Sequence, residues 1–428
     1  MQLSSNKRKL RCPVGLRRSV LIVAPLFALF GAPVRTLAVP NANDDGKKCF
    51  RANQPEAIIR YCTQAISSAR LPADALALAF YRRGNAYNEQ SESDRAIQDY
   101  DEAIRLNPGH ADAFSNRGVA FARKRNYDRA IQDYDEAIQL NPGHADAFSN
   151  RGVAYARKKD YDRAIQSYDE AVRLKPDHIS ALYARGNAYR RRGDYDQAVR
   201  NYDRVIRLNP RHAQAYSNRG IAYAGKGHDD LAIQDYDKAI DLNPEHVNAY
   251  YNRGNAHRRK GDYDEAVQNY NQVIRLNPKH GNGYSSRGMV GFYQGRFALA
   301  AADFAQARQI APDNLHLALL LHVAEARAGT QTPTSLAEMT RSLNLESWPG
   351  PIVSMFLAKL PEHVALPVVT GSEPPERQCQ AYFYLGQQFL LRQRKDEAAD
   401  MFRAALATNA SSSFEYQAAR VELSRLGN

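Results

Sequence analysis

The sequence predicts an all-α fold, an α-solenoid in which helix-turn-helix hairpins stack one on the next. Three observations predict it. Pro108, Pro142, Pro176, Pro210, Pro244, Pro278 and Pro312 recur at a constant interval of 34 residues. Gly84, Gly118, Gly152, Gly186, Gly220, Gly254 and Gly288 keep the same interval, and so do Ala96, Ala130, Ala164, Ala198, Ala232, Ala266 and Ala300. A period of that size marks a repeat architecture with one supersecondary element per unit. Such an array lengthens by stacking, so 428 residues need not divide into two or three globular cores.

The chain opens with a targeting pattern. Residues 1–18 are basic, residues 19–34 (SVLIVAPLFALFGAPV) carry no charge, and Thr36-Leu37-Ala38 offers small residues for a cut after Ala38. That is the order of a secretory signal. The apolar run is short for a membrane span and is broken by Pro25 and Pro33. The reading is a cleavable signal peptide over 1–38, with a retained anchor as the alternative and the periplasm or the exterior as destination. Cys12 precedes the apolar run and cannot serve as a lipidation site.

Charge follows the same division. The formal net charge is +12, and Lys7, Arg8, Lys9, Arg11, Arg17, Arg18 and Arg35 all precede Val39, leaving about +5 on the remainder. There the cations alternate with acids, as in YDRAIQDYDEAI, which describes a solvated face and not a nucleic-acid surface. Residues 39–76 form a degenerate helical hairpin holding Cys49 and Cys62. In an exported chain these could form a disulfide bridging the two helices; otherwise Cys62 is a small core residue and Cys49 a free thiol. Cys379 has no evident partner and packs as a small apolar residue.

Counting each repeated glycine as position eight starts the seven units at Ala77, Ala111, Ala145, Ile179, Ala213, Val247 and Gly281, so the array covers 77–314. Within a unit, Ala113/Phe114, Arg117/Gly118 and Phe121 share one helical face, and Ala130, Ile131, Tyr134, Ala137 and Ile138 share another. Gly193, Gly227, Gly261 and Gly295 stand where the first helix ends, and Asp160, Asp194 and Asp262 where the second begins. The closing Asn-Pro ends the second helix. Glycine inside a helix costs roughly 1 kcal/mol against alanine. Its repetition implies close approach of the paired helix, with small alanines as the facing surface.

The pattern F/Y-x-x-x-G-x-x-F/Y, then A-x-x-x-Y/F-x-x-A and Pro, resembles the tetratricopeptide repeat over 77–314. The resemblance implies a right-handed superhelix of hairpins whose first helices line a concave groove. Residues 315–348 resemble a worn repeat, with LALLLHVAEARAG and TSLAEMTRSLN as its helices. Residues 349–378 read as a Pro-rich connector with one short helix, PIVSMFLAKL. Residues 379–428 regain the motif through Tyr382, Gly386, Phe389, Ala398, Phe402 and Ala405, and a last helix over about 413–426 would cap the stack. Trp348, Tyr384-Leu385-Gly386, Glu415, Ala419 and Glu422-Leu423 are similar to the C-terminal region of NlpI-type envelope lipoproteins. That similarity implies a dimeric adaptor presenting cell-wall hydrolases to an envelope protease. The present chain has more regular repeats and lacks the lipid-attachment cysteine.

Position six of the first helix reads Asn116, Asn150, Asn218 and Asn252, while Arg82, Ala184 and Ser286 stand there in other units. A carboxamide both donates and accepts, so it can pair with a peptide backbone. Units about 10 Å apart would meet every third residue of a strand rising about 3.3 Å per residue. Asn85, Asn187 and Asn255, at position nine, extend the row. The alternative is that these are soluble groove residues inherited by duplication. Arg83, Arg117, Arg151, Arg185, Arg219, Arg253 and Arg287 stand beside each glycine, either as an anion clamp or, in the structural reading, paired with second-helix acids such as Asp133 and Asp135. His110, His144, His178, His212, His246 and His280 mark surface helix starts. They cannot share one zinc, because ligands sit about 2 Å from it while units lie about 10 Å apart. The sequence holds no phosphate-binding loop, HExxH, GxSxG or paired-cysteine zinc spacing. It reads as a non-catalytic scaffold without cofactor or metal, for protein or peptide partners and not nucleic acid, with a homodimer implied by the C-terminal similarity.

Overall fold

The computed structural model describes residues 44–330, 335–359, 373–411 and 413–427. The signal expected over 1–38 lies outside the described residues, as do 331–334 of the worn repeat and 360–372 of the connector. Among the described residues there are helices and no strand. Helices α1 (Asp44–Arg51) and α2 (Pro55–Ser67) come first. A disulfide joins Cys49 of one to Cys62 of the other, both fully buried, with their Cα atoms 4.7 Å apart.

The seven units follow as α3 (Ala73–Glu89) with α4 (Ser93–Leu106), α5 (Ala111–Arg123) with α6 (Tyr127–Leu140), α7 (Ala145–Arg157) with α8 (Tyr161–Leu174), and α9 (Ile179–Arg192) with α10 (Tyr195–Leu208). Then come α11 (Ala213–Gly225) with α12 (Asp229–Leu242), α13 (Val247–Lys260) with α14 (Tyr263–Leu276), and α15 (Gly281–Tyr293) with α16 (Phe297–Ile310). Each helix packs against its predecessor and its successor. Successive first helices also meet one another, whereas successive second helices make no comparable contact. The array therefore curves toward its first helices, which line the concave side.

The repeated glycines allow the close approach expected from sequence, with Ala130 O 3.1 Å from a Cβ built on Gly118, and they also make room for a ring the sequence reading did not name. A Cβ on Gly118 would lie 2.8 Å from the Tyr134 ring, and the same clash recurs at Gly84 with Tyr100, Gly186 with Tyr202 and Gly254 with Tyr270. Those tyrosines are fully buried, so the glycine is the slot that lets the largest side chain of the unit enter the hairpin. Between the helices, Gly193, Gly227, Gly261 and Gly295 hold φ of +91°, +78°, +89° and +74°, where a Cβ would be strained. The earlier units place Ser91, Arg125 and Lys159 in that conformation instead. At the unit ends, Asn107, Asn141 and Asn277 accept through Oδ1 the N–H two residues on, so the residue before proline makes its own turn.

After α17 (Leu315–Arg327) the repeat decays. The expected second helix survives only as α18 (Leu336–Met339), and the connector contributes α19 (Gly350–Phe356). The last hairpin is α20 (Pro375–Leu391) with α21 (Lys395–Ala407), its Gly386 set against Phe402 as in the regular units. Cys379 is buried, its Sγ 3.6 Å from Ser413 Oγ. The final helix, α22 (Phe414–Arg425), does more than cap the end of the stack as expected: it also folds back onto α15. Phe414 stacks on Tyr293 and meets Phe292 and Phe383 edge-on, and Arg425 Nη2 donates to the carbonyls of Phe292 and Tyr293. Arg327 of α17 holds the buried Glu422 carboxylate at 3.0 Å.

Candidate functional site

The concave groove is built from one stripe of each first helix. Positions five, nine and twelve fall at i, i+4 and i+7, and position six borders them, so these side chains share a face. That stripe carries the asparagines singled out from sequence, and the structure divides them into two kinds.

Asn116, Asn218, Asn85, Asn187 and Asn255 are engaged inside the chain. Asn85 Oδ1 accepts from the Tyr100 hydroxyl at 2.8 Å and from Asn116 Nδ2 of the next unit at 2.9 Å, while Asn116 Nδ2 also reaches the Tyr81 hydroxyl at 3.1 Å. The same cluster forms where Asn218 meets Asn187 at 2.9 Å and Tyr183 at 2.8 Å, with Tyr202 donating to Asn187. In the sixth unit Tyr270 donates to Asn255, and Tyr251 lies 3.4 Å from Ser286. Tyrosine at position five and asparagine at position nine thus occur together, and the next unit answers from position six. Burial raises the pKa of Tyr81 and Tyr183 and pushes Tyr270 up to about 12, so these hydroxyls stay protonated and can donate. The sequence offered these five as ligand contacts or as groove residues inherited by duplication; in the structure Asn85, Asn116, Asn187 and Asn218 join neighbouring units, and Asn255 bonds within its own. The co-occurrence of Tyr81 with Asn85, Tyr183 with Asn187 and Tyr251 with Asn255 was the signal that could have revealed it.

Asn150 and Asn252 follow units that have serine at position five and an apolar residue at position nine, Ser115 with Val119 and Ser217 with Ile221. They are half-buried, and their carboxamides bond to no side chain of those preceding units.

The arginines at position seven turn to the other side of the helix. Arg117 grips Asp133 of its own second helix with two bonds of 3.0 and 2.7 Å and reaches Asp101 of the preceding one at 2.7 Å. Arg219 does the same with Asp235 and Asp203, and these bonds raise its pKa despite burial. Arg185 and Arg253 meet Asn201 and Asn269 in place of the inner aspartate. Asp135 pairs with Arg151 of the next unit. Each arginine is a tie across a unit boundary and leaves no free clamp.

The histidines are half-buried, not surface-exposed, because the preceding unit covers the ring. Nδ1 of His110, His144, His212, His246 and His280 accepts from the N–H three residues on, in the first turn of the following helix, which makes each ring an N-cap. His178 makes no such bond. His144 and His178 turn Nε2 to Asp112 and Asp146 at 3.1 and 3.0 Å and hold those carboxyls below their usual range. Among the described residues no group of three His, Cys, Asp or Glu could hold a metal, and no helix is long and apolar enough to cross a membrane.

The trough does not run the full length of the array. On α15 the stripe continues as Ser286, Met289 and Phe292, and there α20 and α22 lie over it. The residues similar to the envelope lipoproteins serve this packing: Trp348 Nε1 donates to Gln380 at 2.6 Å, and Glu415, Ala419 and Glu422 lie on the buried face of α22.

Tetratricopeptide-repeat family models match residues 81–145, 123–179 and 183–247, and a second model of the same repeat matches 247–280. Among solved structures, YrrB, described as a TPR protein with an unusual peptide-binding site, is 27% identical over 44% of this chain and 95% of its own, with a TM-score of 0.38. MamA from Desulfovibrio magneticus is 26% identical over 40% of this chain and 96% of its own, with a TM-score of 0.38. A tetratricopeptide-repeat protein from Parabacteroides merdae is 20% identical over 58% of this chain and 98% of its own, with a TM-score of 0.46. No curated protein matches the chain.

Proposed function

We propose that this chain, a tetratricopeptide-repeat protein, is a non-catalytic scaffold that holds an extended segment of another protein in the open part of its groove. One observation carries the reading. Asn150 and Asn252 keep half-buried carboxamides that the preceding unit does not engage, on the face where Asn116 and Asn218 are tied inward. A carboxamide in that position pairs with the N–H and C=O of a passing backbone whatever its side chains.

The test is a peptide-display selection against the immobilised chain, followed by affinity measurements on the selected sequence. Asn150→Ala with Asn252→Ala removes two hydrogen-bonding groups of about 1 kcal/mol each, so affinity falls roughly tenfold or more while thermal stability holds. Asn116→Ala with Asn218→Ala lowers the melting temperature, since it breaks joints. Unchanged affinity in the first pair refutes the groove reading.

The scaffold works outside the cytoplasm in this proposal, in the periplasm or beyond. The basic, apolar and small-residue order of residues 1–38 supports export, and a disulfide between Cys49 and Cys62 suits an oxidising compartment. N-terminal sequencing of the exported protein should read Val-Pro-Asn from Val39; a retained leader would refute cleavage. A dimeric adaptor for envelope proteases or peptidoglycan hydrolases is the narrower form of the same proposal, and capture of such an enzyme from envelope extract by a dimeric chain is its test.

A further inference from the structure

We propose that the groove section formed by α9, α11 and α13 carries two anion subsites, one at Arg190 and one at Arg258, which take carboxylate side chains about six residues apart on an extended acidic segment of a partner protein. The proposal rests on the groove reading above and names the chemistry of its occupant.

Charge along the groove changes at α9. Helices α5 and α7 bring Asp112 and Asp146 to their first turns, whereas α9, α11 and α13 contain no acidic residue. The last turns of α9 and α13 are instead clusters of cations. Three of these are already neutralised, Arg192 by Asp162 and Asp194, Arg259 by Asp229 and Lys260 by Asp230, and Arg191 is exposed to solvent. Arg190 and Arg258 differ. Each is half-buried, and each has a buried Nε without a hydrogen-bond partner. Phenol hydroxyls stand within hydrogen-bonding reach, Tyr202 for Arg190 and Tyr270 with Tyr293 for Arg258, and among the described residues neither guanidinium forms an ion pair. A half-buried guanidinium without an anion is costly, and one that receives a carboxylate gains charge-assisted hydrogen bonds.

Position and spacing supply the geometry. Arg190 stands at i+7 from Tyr183 and i+3 from Asn187, and Arg258 repeats this with Tyr251 and Asn255. Both guanidiniums therefore lie on the groove stripe. Units two, three and five have Ala122, Ala156 and Ala224 at this place, which offer an anion nothing. The two sites are two units, or about 20 Å, apart. An extended chain covers that in about six residues, and residues an even number apart project from the same side. A single-stranded nucleic acid fits less well, because it needs open aromatic faces. Here Tyr183 packs on Tyr202 and His212, and Tyr251 on Tyr270 and His280.

The test uses the full chain and fluorescein-labelled 14-residue Ser/Ala peptides read by anisotropy. One carries two glutamates six residues apart, one the same pair three residues apart, and one glutamine at the six-residue positions; a labelled 14-mer of oligothymidine is the fourth probe. The six-spaced glutamate peptide should bind at least tenfold tighter than the glutamine peptide and tighter than the three-spaced one, with the advantage fading as salt rises. Arg190→Gln and Arg258→Gln should each weaken the six-spaced peptide about five- to tenfold and leave the glutamine peptide unchanged. Arg190→Lys, which keeps the charge, should retain part of the gain, and circular dichroism melting checks that each variant is folded. Equal binding of glutamate and glutamine peptides, equal losses for both, or tighter binding of oligothymidine would overturn the anion subsites and leave the groove reading standing. If no peptide binds at any composition, both fall.

Discussion

Gly152 lies against the ring of Tyr168: a Cβ built on the glycine would stand 2.6 Å from Tyr168 Cε1. The ring is buried and held by its own hairpin, so it cannot swing away. In an open helix Gly→Ala would stabilise by about 1 kcal/mol. Here Gly152→Ala should destabilise by about 1–3 kcal/mol through overpacking, seen as a lower urea midpoint. A raised midpoint would mean that the tyrosine has room to move.

The ties between units make a second prediction. Asp235 is buried and bonded to Arg219, while Arg185 and Arg253 bond to Asn201 and Asn269 at the equivalent place. Asp235→Asn copies an arrangement the array already uses and should change stability by less than about 1 kcal/mol. Arg219→Gln strands Asp235 without its charge and should cost about 3 kcal/mol in urea unfolding. Equal costs for the two would show that the pair acts by packing and not by charge.

Lys159 holds a φ of +65° in the turn where Gly193 and Gly261 hold +91° and +89°. A left-handed residue with a Cβ carries strain that glycine avoids. Lys159→Gly should raise stability by about 0.5 kcal/mol, after the entropy of the added glycine is subtracted, as a shift in melting temperature. A fall would place the strain elsewhere.

The histidine caps make stability depend on pH. His110, His212, His246 and His280 accept on Nδ1, which requires the neutral ring, and burial lowers their pKa below the ordinary 6.5. The unfolded chain therefore takes up these protons at higher pH than the folded one. The contribution is present above pH 6.5 and is lost as pH falls through the lowered folded values. The melting temperature should drop between about pH 7 and pH 5. His212→Asn with His246→Asn, which caps without titrating, should flatten that drop; an unaltered slope would assign the acid sensitivity to other groups.

Whatever is local to one 34-residue unit can be read along the chain. The close helix approach at Gly118, the turn at Gly193 and the Asn-Pro closure act within one unit, so periodicity displays them without a structure. It also placed Arg117 beside acids of the second helices, because that pairing stays within one unit and its predecessor. The remainder follows from how units pack on one another. Asn85 and Asn116 look like two members of a ligand row, and only the packing of one first helix on the next turns one into the partner of the other. In the same way, the sequence supplies the cations of α9 and α13, but the fold decides that Arg192 finds Asp162 while Arg190 meets the Tyr202 hydroxyl. The tail is the plainest case. Tyr293 and Phe414 are 121 residues apart, α22 belongs to no repeat, and a period cannot say where a non-repeating helix will dock. Its landing place depends on which apolar stripe the curved array leaves uncovered, a property of the assembled units that no single unit possesses.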